Sequence, residues 1–201
     1  MITIFYSRII NYDRINSMKF LVKYCNLETI ERLSKSSSLK YINRRITFWK
    51  IIPLIYNDIG IPISRLKYLT HNPYGKLVTE DYNISISYTG DYVFVLLSRF
   101  KIGLDVESAN MDFSQRKLKM LQKLTHLKIK NKSEFLNLWT KIESIVKYYD
   151  NKSLADIFFG MLYEESLFLH TRYLLFKNEY HIALSGNSKD LTMIPITIKK
   201  I

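Results

Sequence analysis

Cysteine occurs once in the 201 residues, at Cys25, so no disulfide can form within the chain and no cysteine-based metal knuckle is available. That usage fits a reducing compartment. Proline and glycine are scarce, four and six residues, so each one marks a local event. No apolar run approaches the length of a membrane span. Residues 1–10 are interrupted by Ser7 and Arg8 and carry no small-residue cleavage signal, so no secretory leader is read there. A cytoplasmic protein with no membrane partner is expected. Acidic residues are also few, 18 against 30 Lys and Arg, and the formal net charge of +12 implies an anionic partner: nucleic acid, a phosphorylated ligand or an acidic protein surface. What is abundant is apolar. With 47% hydrophobic and 14% aromatic residues the chain can bury a core, and its length suits one large domain or two small lobes.

Taken in order, 1–10 reads as a strand and 13–24, 27–33 and 39–58 as helices. Pro53 should kink or break the last of these, and Gly60 ends it. Arg32, Arg44 and Arg45 lie on these helices, either as plain solubility or as a basic rim for phosphate. Asn72-Pro73-Tyr74-Gly75-Lys76 is a turn with an exposed lysine. Residues 82–87 alternate as a strand. Residues 92–98 and 102–106 read as a hairpin. Helical spacing continues over 113–127 and around Trp139, with an apolar stretch over 157–162 and then strands at 168–169, 172–176, 179–185 and 191–196. The outline of 92–106 returns faintly at 180–196. That predicts an α+β fold of two similar lobes related by a pseudo-two-fold, divided as 1–107 and 108–201, with one site in the cleft between them and a monomeric chain.

The chemistry concentrates in Gly103-Leu104-Asp105-Val106-Glu107. On a strand Asp105 and Glu107 share one face, with Leu104 and Val106 on the other. Two carboxylates on one face call for a positive group between them, either a basic side chain or a hard divalent cation such as Mg²⁺. Trp139, Glu143 and Lys147, spaced by four, line one face of a helix. Glu143 could add a third carboxylate and Lys147 bind a phosphate, although an ordinary Glu–Lys pair on a solvated helix satisfies the same spacing.

Gly75-Lys76, Ser87-Tyr88-Thr89-Gly90, Gly103-Leu104-Asp105-Val106-Glu107 and Trp139-Thr140-Lys141-Ile142-Glu143-Ser144-Ile145-Val146-Lys147, in this order and spacing, resemble the 4′-phosphopantetheinyl transferases. The match is to the two-lobed type that activates peptide and polyketide synthetases. The resemblance implies transfer of the phosphopantetheine arm of coenzyme A to a serine of an acyl or peptidyl carrier protein, with adenosine 3′,5′-bisphosphate released. It implies that Asp105, Glu107 and Glu143 hold Mg²⁺, that Glu143 deprotonates the serine, and that Lys147 contacts the phosphate under attack. Arg32, Arg45, Lys76, Ser87 and Tyr88 would bind the coenzyme A phosphates. The chain departs from the family at Leu77, where proline is usual, at Tyr88 for histidine, at Ile142 for lysine, and at 150–151, where a glycine is usual. The residues leave three other readings open: a family member that binds without turnover, a metal-free structural protein, and a basic nucleic-acid-binding protein. The last lacks a helix-turn-helix, a zinc knuckle or an aromatic RNA-binding motif, so no nucleic acid partner is expected.

Overall fold

The computed structural model describes residues 2–11, 14–79, 82–112, 114–149, 151, 156, 169–187, 191 and 194–201, with the backbone alone at 14–18 and 124. The apolar stretch 157–162, the strand start at 168 and position 150 lie outside them. Strand β1 (Ile2–Arg8) precedes helices α1 (Arg14–Tyr24), α2 (Leu27–Ser34) and α3 (Leu39–Asp58). A 3-10 turn (Ile63–Tyr68) leads to the short strands β2 (Thr70–His71) and β3 (Leu77–Val78), then to β4 (Asn83–Thr89), β5 (Tyr92–Ser98) and β6 (Ile102–Ser108). Helices α4 (Gln115–Thr125) and α5 (Lys132–Tyr148) and strands β7 (Leu169–Phe176), β8 (Tyr180–Asn187) and β9 (Ile196–Lys200) complete a mixed α+β architecture. One sheet has the order β4-β5-β1-β9 and another β6-β8-β7, while β2 and β3 form a small ribbon.

The apolar run of β5 has no polar face because both of its sides are buried. Val93, Val95 and Leu97 pack with Phe48, Trp49 and Ile52 of α3. Phe94 and Leu96 face the other way and meet Leu104, Val106, Ile182 and Leu184 of the second sheet. A third, smaller cluster joins α4 to α5 through Leu121, Phe135, Leu136, Trp139 and Ile142.

Residues 92–98 and 102–106 are not a hairpin. Strand β5 pairs with β1 and β4, and the chain then crosses into the second sheet, where β6 pairs with β8. The last strand is Ile196–Lys200 rather than 191–196, and it runs parallel to β1 in the first sheet. The two hairpins that suggested an internal repeat are therefore absent. Residue 107 is also no boundary between sheets, since β6 lies with β7 and β8 while β9 returns to β1.

The two sheets meet at β4 and β6 through side chains. The hydroxyls of Ser85, Ser87 and Thr89 accept the backbone N–H groups of Leu104, Val106 and Ser108 at 2.9, 3.1 and 2.8 Å, and Asn83 Oδ1 accepts from Ile102 at 3.3 Å. In an antiparallel edge strand every second N–H points away from its partner and must find another acceptor. Here the acceptors come from alternate residues of β4. Helix α3 runs through Pro53 unbroken, and Gly60, at φ +77, supplies the left-handed turn after its end.

Candidate functional site

Gly103 decides where α5 lies. A Cβ there would fall inside contact distance of the Ser144 carbonyl and 2.6 Å from the Tyr148 nitrogen, so only glycine lets the helix this close to β6. Asp105 and Glu107 stand on the same face as Gly103, under α5, while Leu104 and Val106 point into the core, as the strand alternation predicts. Helix α5 is capped by Asn131, whose side chain accepts from Glu134 N, and one helical turn separates Glu143 from Lys147.

Lys147 does not pair with Glu143 along the helix. Its Nζ donates to Asp105 Oδ1 at 2.6 Å, and the Ser87 hydroxyl donates to the same oxygen at 2.9 Å. Asp105 Oδ2 is buried and has no hydrogen-bond partner. Glu107, reached by the Thr89 hydroxyl at 3.3 Å, has its pKa pushed up to about 7, first by burial and then by the Asp105 charge. Burial and Asp105 raise Glu143 as well. Three carboxylates thus share a poorly solvated corner, and two ammonium groups, Lys147 and Lys117, oppose their mutual repulsion. Among the described residues no three His, Cys, Asp or Glu side chains are drawn together as a metal cage. Lys147 holds one Asp105 oxygen, and like charge works against closer approach of the other two carboxylates.

Lys147 also lines a cleft of about 230 Å³ with Arg45, Gly75, Lys76, Tyr88 and Tyr149. The turn before β3 is built by Asn72, whose side chain accepts from Tyr74 N and Lys76 N, and by Gly75 at φ +78. Lys76 is not the exposed turn lysine the sequence suggests. It is partly buried, and its Nζ donates to the Lys147 carbonyl at 2.7 Å, in the last turn of α5. Tyr88 lies between two arginines: Arg44 stands 5.6 Å over its ring, and Arg45 lies beside its buried hydroxyl, which has no partner in hydrogen-bond geometry. Arg32 lies against Gly75 and lines a narrow crevice next to the cleft with Thr29, Tyr41, Arg45 and His71. No sequence signal points to His71, which stands in no motif. Its pKa is pushed down to about 4, by burial first and then by Arg45 and Arg32.

The structure thus gathers Arg45, Lys76, Tyr88 and Lys147 around one cleft, with Arg32 adjoining it and Asp105, Glu107 and Glu143 grouped beyond Lys147. Ser87 is the exception. Neighbouring residues on a strand face opposite ways. Tyr88 lines the cleft, while Ser87 is 3% exposed and its hydroxyl serves Asp105 and Val106. Ile142, where the family has lysine, is buried in the α4–α5 cluster, a place where a lysine would be costly.

No family model matches the chain, and no curated protein matches it as a relative. Among the described residues no helix is long and apolar enough to cross a membrane.

Proposed function

We propose that the chain transfers the 4′-phosphopantetheine arm of coenzyme A to a serine hydroxyl of an acyl or peptidyl carrier protein. One observation carries this reading. Lys147 belongs both to a cleft rimmed by Arg45 and Lys76 and to a corner holding three carboxylates, so phosphate-binding cations and a candidate base meet at one side chain. The protein would act as a cytoplasmic monomer.

The donor set is of the kind a hard divalent cation takes, although the three carboxylates are not drawn together as a cage among the described residues. Asp105 Oδ2 is buried without a partner, and Glu107 and Glu143 are both driven toward protonation, by burial first and then by Asp105. Asp105, Glu107 and Glu143 would hold Mg²⁺, whose contribution there is to neutralise the pyrophosphate oxygens of coenzyme A. Arg32, Arg45, Lys76 and the Tyr88 hydroxyl would bind the phosphates on the adenosine side. Glu143, with its raised proton affinity, takes the serine proton. The serine oxygen forms a bond to the phosphorus that carries the pantetheine arm. The bridging P–O bond breaks, and adenosine 3′,5′-bisphosphate leaves with the electron pair. Lys147 stabilises the charge spreading over the phosphoryl oxygens. The net charge of +12 suits both an anionic nucleotide and an acidic carrier protein.

The binding half is tested by calorimetric titration of coenzyme A with Mg²⁺ and with EDTA. Saturable binding that Arg45→Ala weakens supports the cleft assignment. Binding that Arg45→Ala leaves unchanged contradicts it.

A further inference from the structure

Arg45 faces two spaces. It lines the cleft with Lys76, Tyr88 and Lys147, and it lines the narrow crevice with Thr29 and His71. Among the described residues no other side chain lines both. Three elements build the crevice. Thr29 comes from α2, where the side chain of the cap residue Asn26 accepts from its backbone N–H at 2.9 Å. Asn26 also donates to the Leu69 carbonyl at 2.8 Å, which fixes the approach to β2 against the start of α2. Arg45 comes from α3. His71 comes from β2, next to the Asn72 that builds the turn of Lys76.

Two polar atoms at the crevice are buried without a hydrogen-bond partner, Thr29 Oγ1 and His71 Nδ1. Thr29 is 3% exposed. Buried polar atoms rarely stay unpaired, because each has lost its bonds to solvent and gained none in return. Size decides what can satisfy these two. The crevice encloses about 10 Å³, close to the smallest space that holds one water molecule. A tetrahedral phosphate does not fit there, so the crevice is not a second phosphate site beside the cleft of about 230 Å³.

A buried water makes roughly three hydrogen bonds, and three partners are at hand. The Thr29 hydroxyl and the Arg45 guanidinium can donate, and His71 Nδ1 can accept. Nδ1 accepts only while the imidazole is uncharged. The His71 pKa of about 4, set by burial first and then by Arg45 and Arg32, keeps it uncharged at neutral pH.

We infer that the crevice binds a single water that accepts from the Thr29 hydroxyl and the Arg45 guanidinium and donates to His71 Nδ1, which makes Thr29 and His71 positioning residues for Arg45. A donor spent on the water holds the planar guanidinium in one orientation and leaves its other donors for the cleft. The inference rests on the phosphate-binding reading of Arg45 only for its effect on coenzyme A affinity.

The test begins with a high-resolution crystal structure of the full chain. It should show one water within hydrogen-bond distance of Thr29 Oγ1, His71 Nδ1 and the Arg45 guanidinium, and the absence of that water overturns the inference. Thr29→Val keeps the shape and removes the hydroxyl. It should lower thermal stability, because it takes a partner from the water, whereas a higher melting temperature would mean that the hydroxyl had been unpaired and would overturn the inference as well. In calorimetric titration with coenzyme A, Thr29→Val and His71→Leu should each weaken binding roughly three- to tenfold, the loss of one hydrogen bond that supports a charged group. His71→Asn, whose amide oxygen can take the place of Nδ1, should restore most of the affinity. In an Arg45→Ala background the same substitutions should leave the remaining affinity unchanged. An equal loss in that background would show that Thr29 and His71 act on the fold and not through Arg45, and the inference fails. A wild-type chain that holds the water but binds no coenzyme A overturns the transfer reading and leaves the water-held Arg45 standing.

Discussion

Lys147 and Asp105, 42 residues apart in the chain, are joined by a 2.6 Å hydrogen bond between Nζ and Oδ1 that ties α5 to β6 at the carboxylate corner. Both ends are well covered, with side-chain exposures of 26% and 6%. Removing one partner leaves the other uncompensated. Lys147→Met is therefore expected to cost about 1–3 kcal/mol of stability in urea denaturation. It should also abolish phosphopantetheine transfer. A variant as stable and as active as wild type would show that the pair is incidental.

Ser87 is expected to matter for structure more than for ligand affinity. Ser87→Ala leaves the Val106 N–H without its acceptor and takes one of two donors from Asp105 Oδ1, a loss of about 1–3 kcal/mol for buried groups. Coenzyme A affinity, measured where the variant is fully folded, should change little. An affinity loss without a stability loss would return Ser87 to the phosphate site. Tyr88→His, by contrast, keeps a hydrogen-bonding group beside Arg45 in the cleft and should not reduce coenzyme A affinity in a calorimetric titration. A clear loss would give the Tyr88 hydroxyl a role of its own.

Gly103→Ala would drive a methyl group into the backbone of α5 at Ser144 and Tyr148. Neither neighbour is a flexible side chain that can swing aside. The substitution should cost about 3 kcal/mol or more, or unseat the helix. The expected readout is a collapse of thermal stability together with loss of transfer. A normal melting curve would mean that α5 does not press on β6 at this residue.

Glu107 should leave a mark on the pH profile. Its folded value of about 7 lies above the ordinary 4.5. In the window between these values the folded chain keeps a proton that the unfolded chain has released. Stability is therefore favoured below the window and lost as pH rises through it. Thermal melts at pH 5 and pH 8, without divalent cation, should show a decline that Glu107→Gln flattens by on the order of 1–2 kcal/mol. Added Mg²⁺ should reduce the decline as well. A Glu107→Gln profile identical to wild type would show that this carboxylate is solvated.

What the sequence makes legible here is local. The alternation that puts Asp105 and Glu107 on one face, and the four-residue spacing that puts Glu143 and Lys147 on another, depend only on strand and helix geometry. The pairing of β6 with β8 depends on a partner far along the chain, while a nearby polar turn resembles that of a hairpin. Ser85, Ser87 and Thr89 look like the wet face of a half-exposed strand, yet they are buried because β6 brings unpaired N–H groups to them. Lys117 looks like one of many solvated lysines on α4 until Trp139 is placed beneath it. The bend or break expected from Pro53 gives way to tertiary burial of α3, with Pro53 buried inside a continuous helix.

The central claim is tested most directly by intact-protein mass spectrometry of an apo carrier protein incubated with this chain, coenzyme A and Mg²⁺, with EDTA and Glu143→Ala as controls. The expected result is a mass gain of one phosphopantetheine group, absent with EDTA and with Glu143→Ala. A gain that persists in the Glu143→Ala variant would contradict the assignment of the base. No gain across fatty-acid, polyketide and peptide carrier proteins, from a chain that binds coenzyme A, would contradict transfer and leave a binding protein.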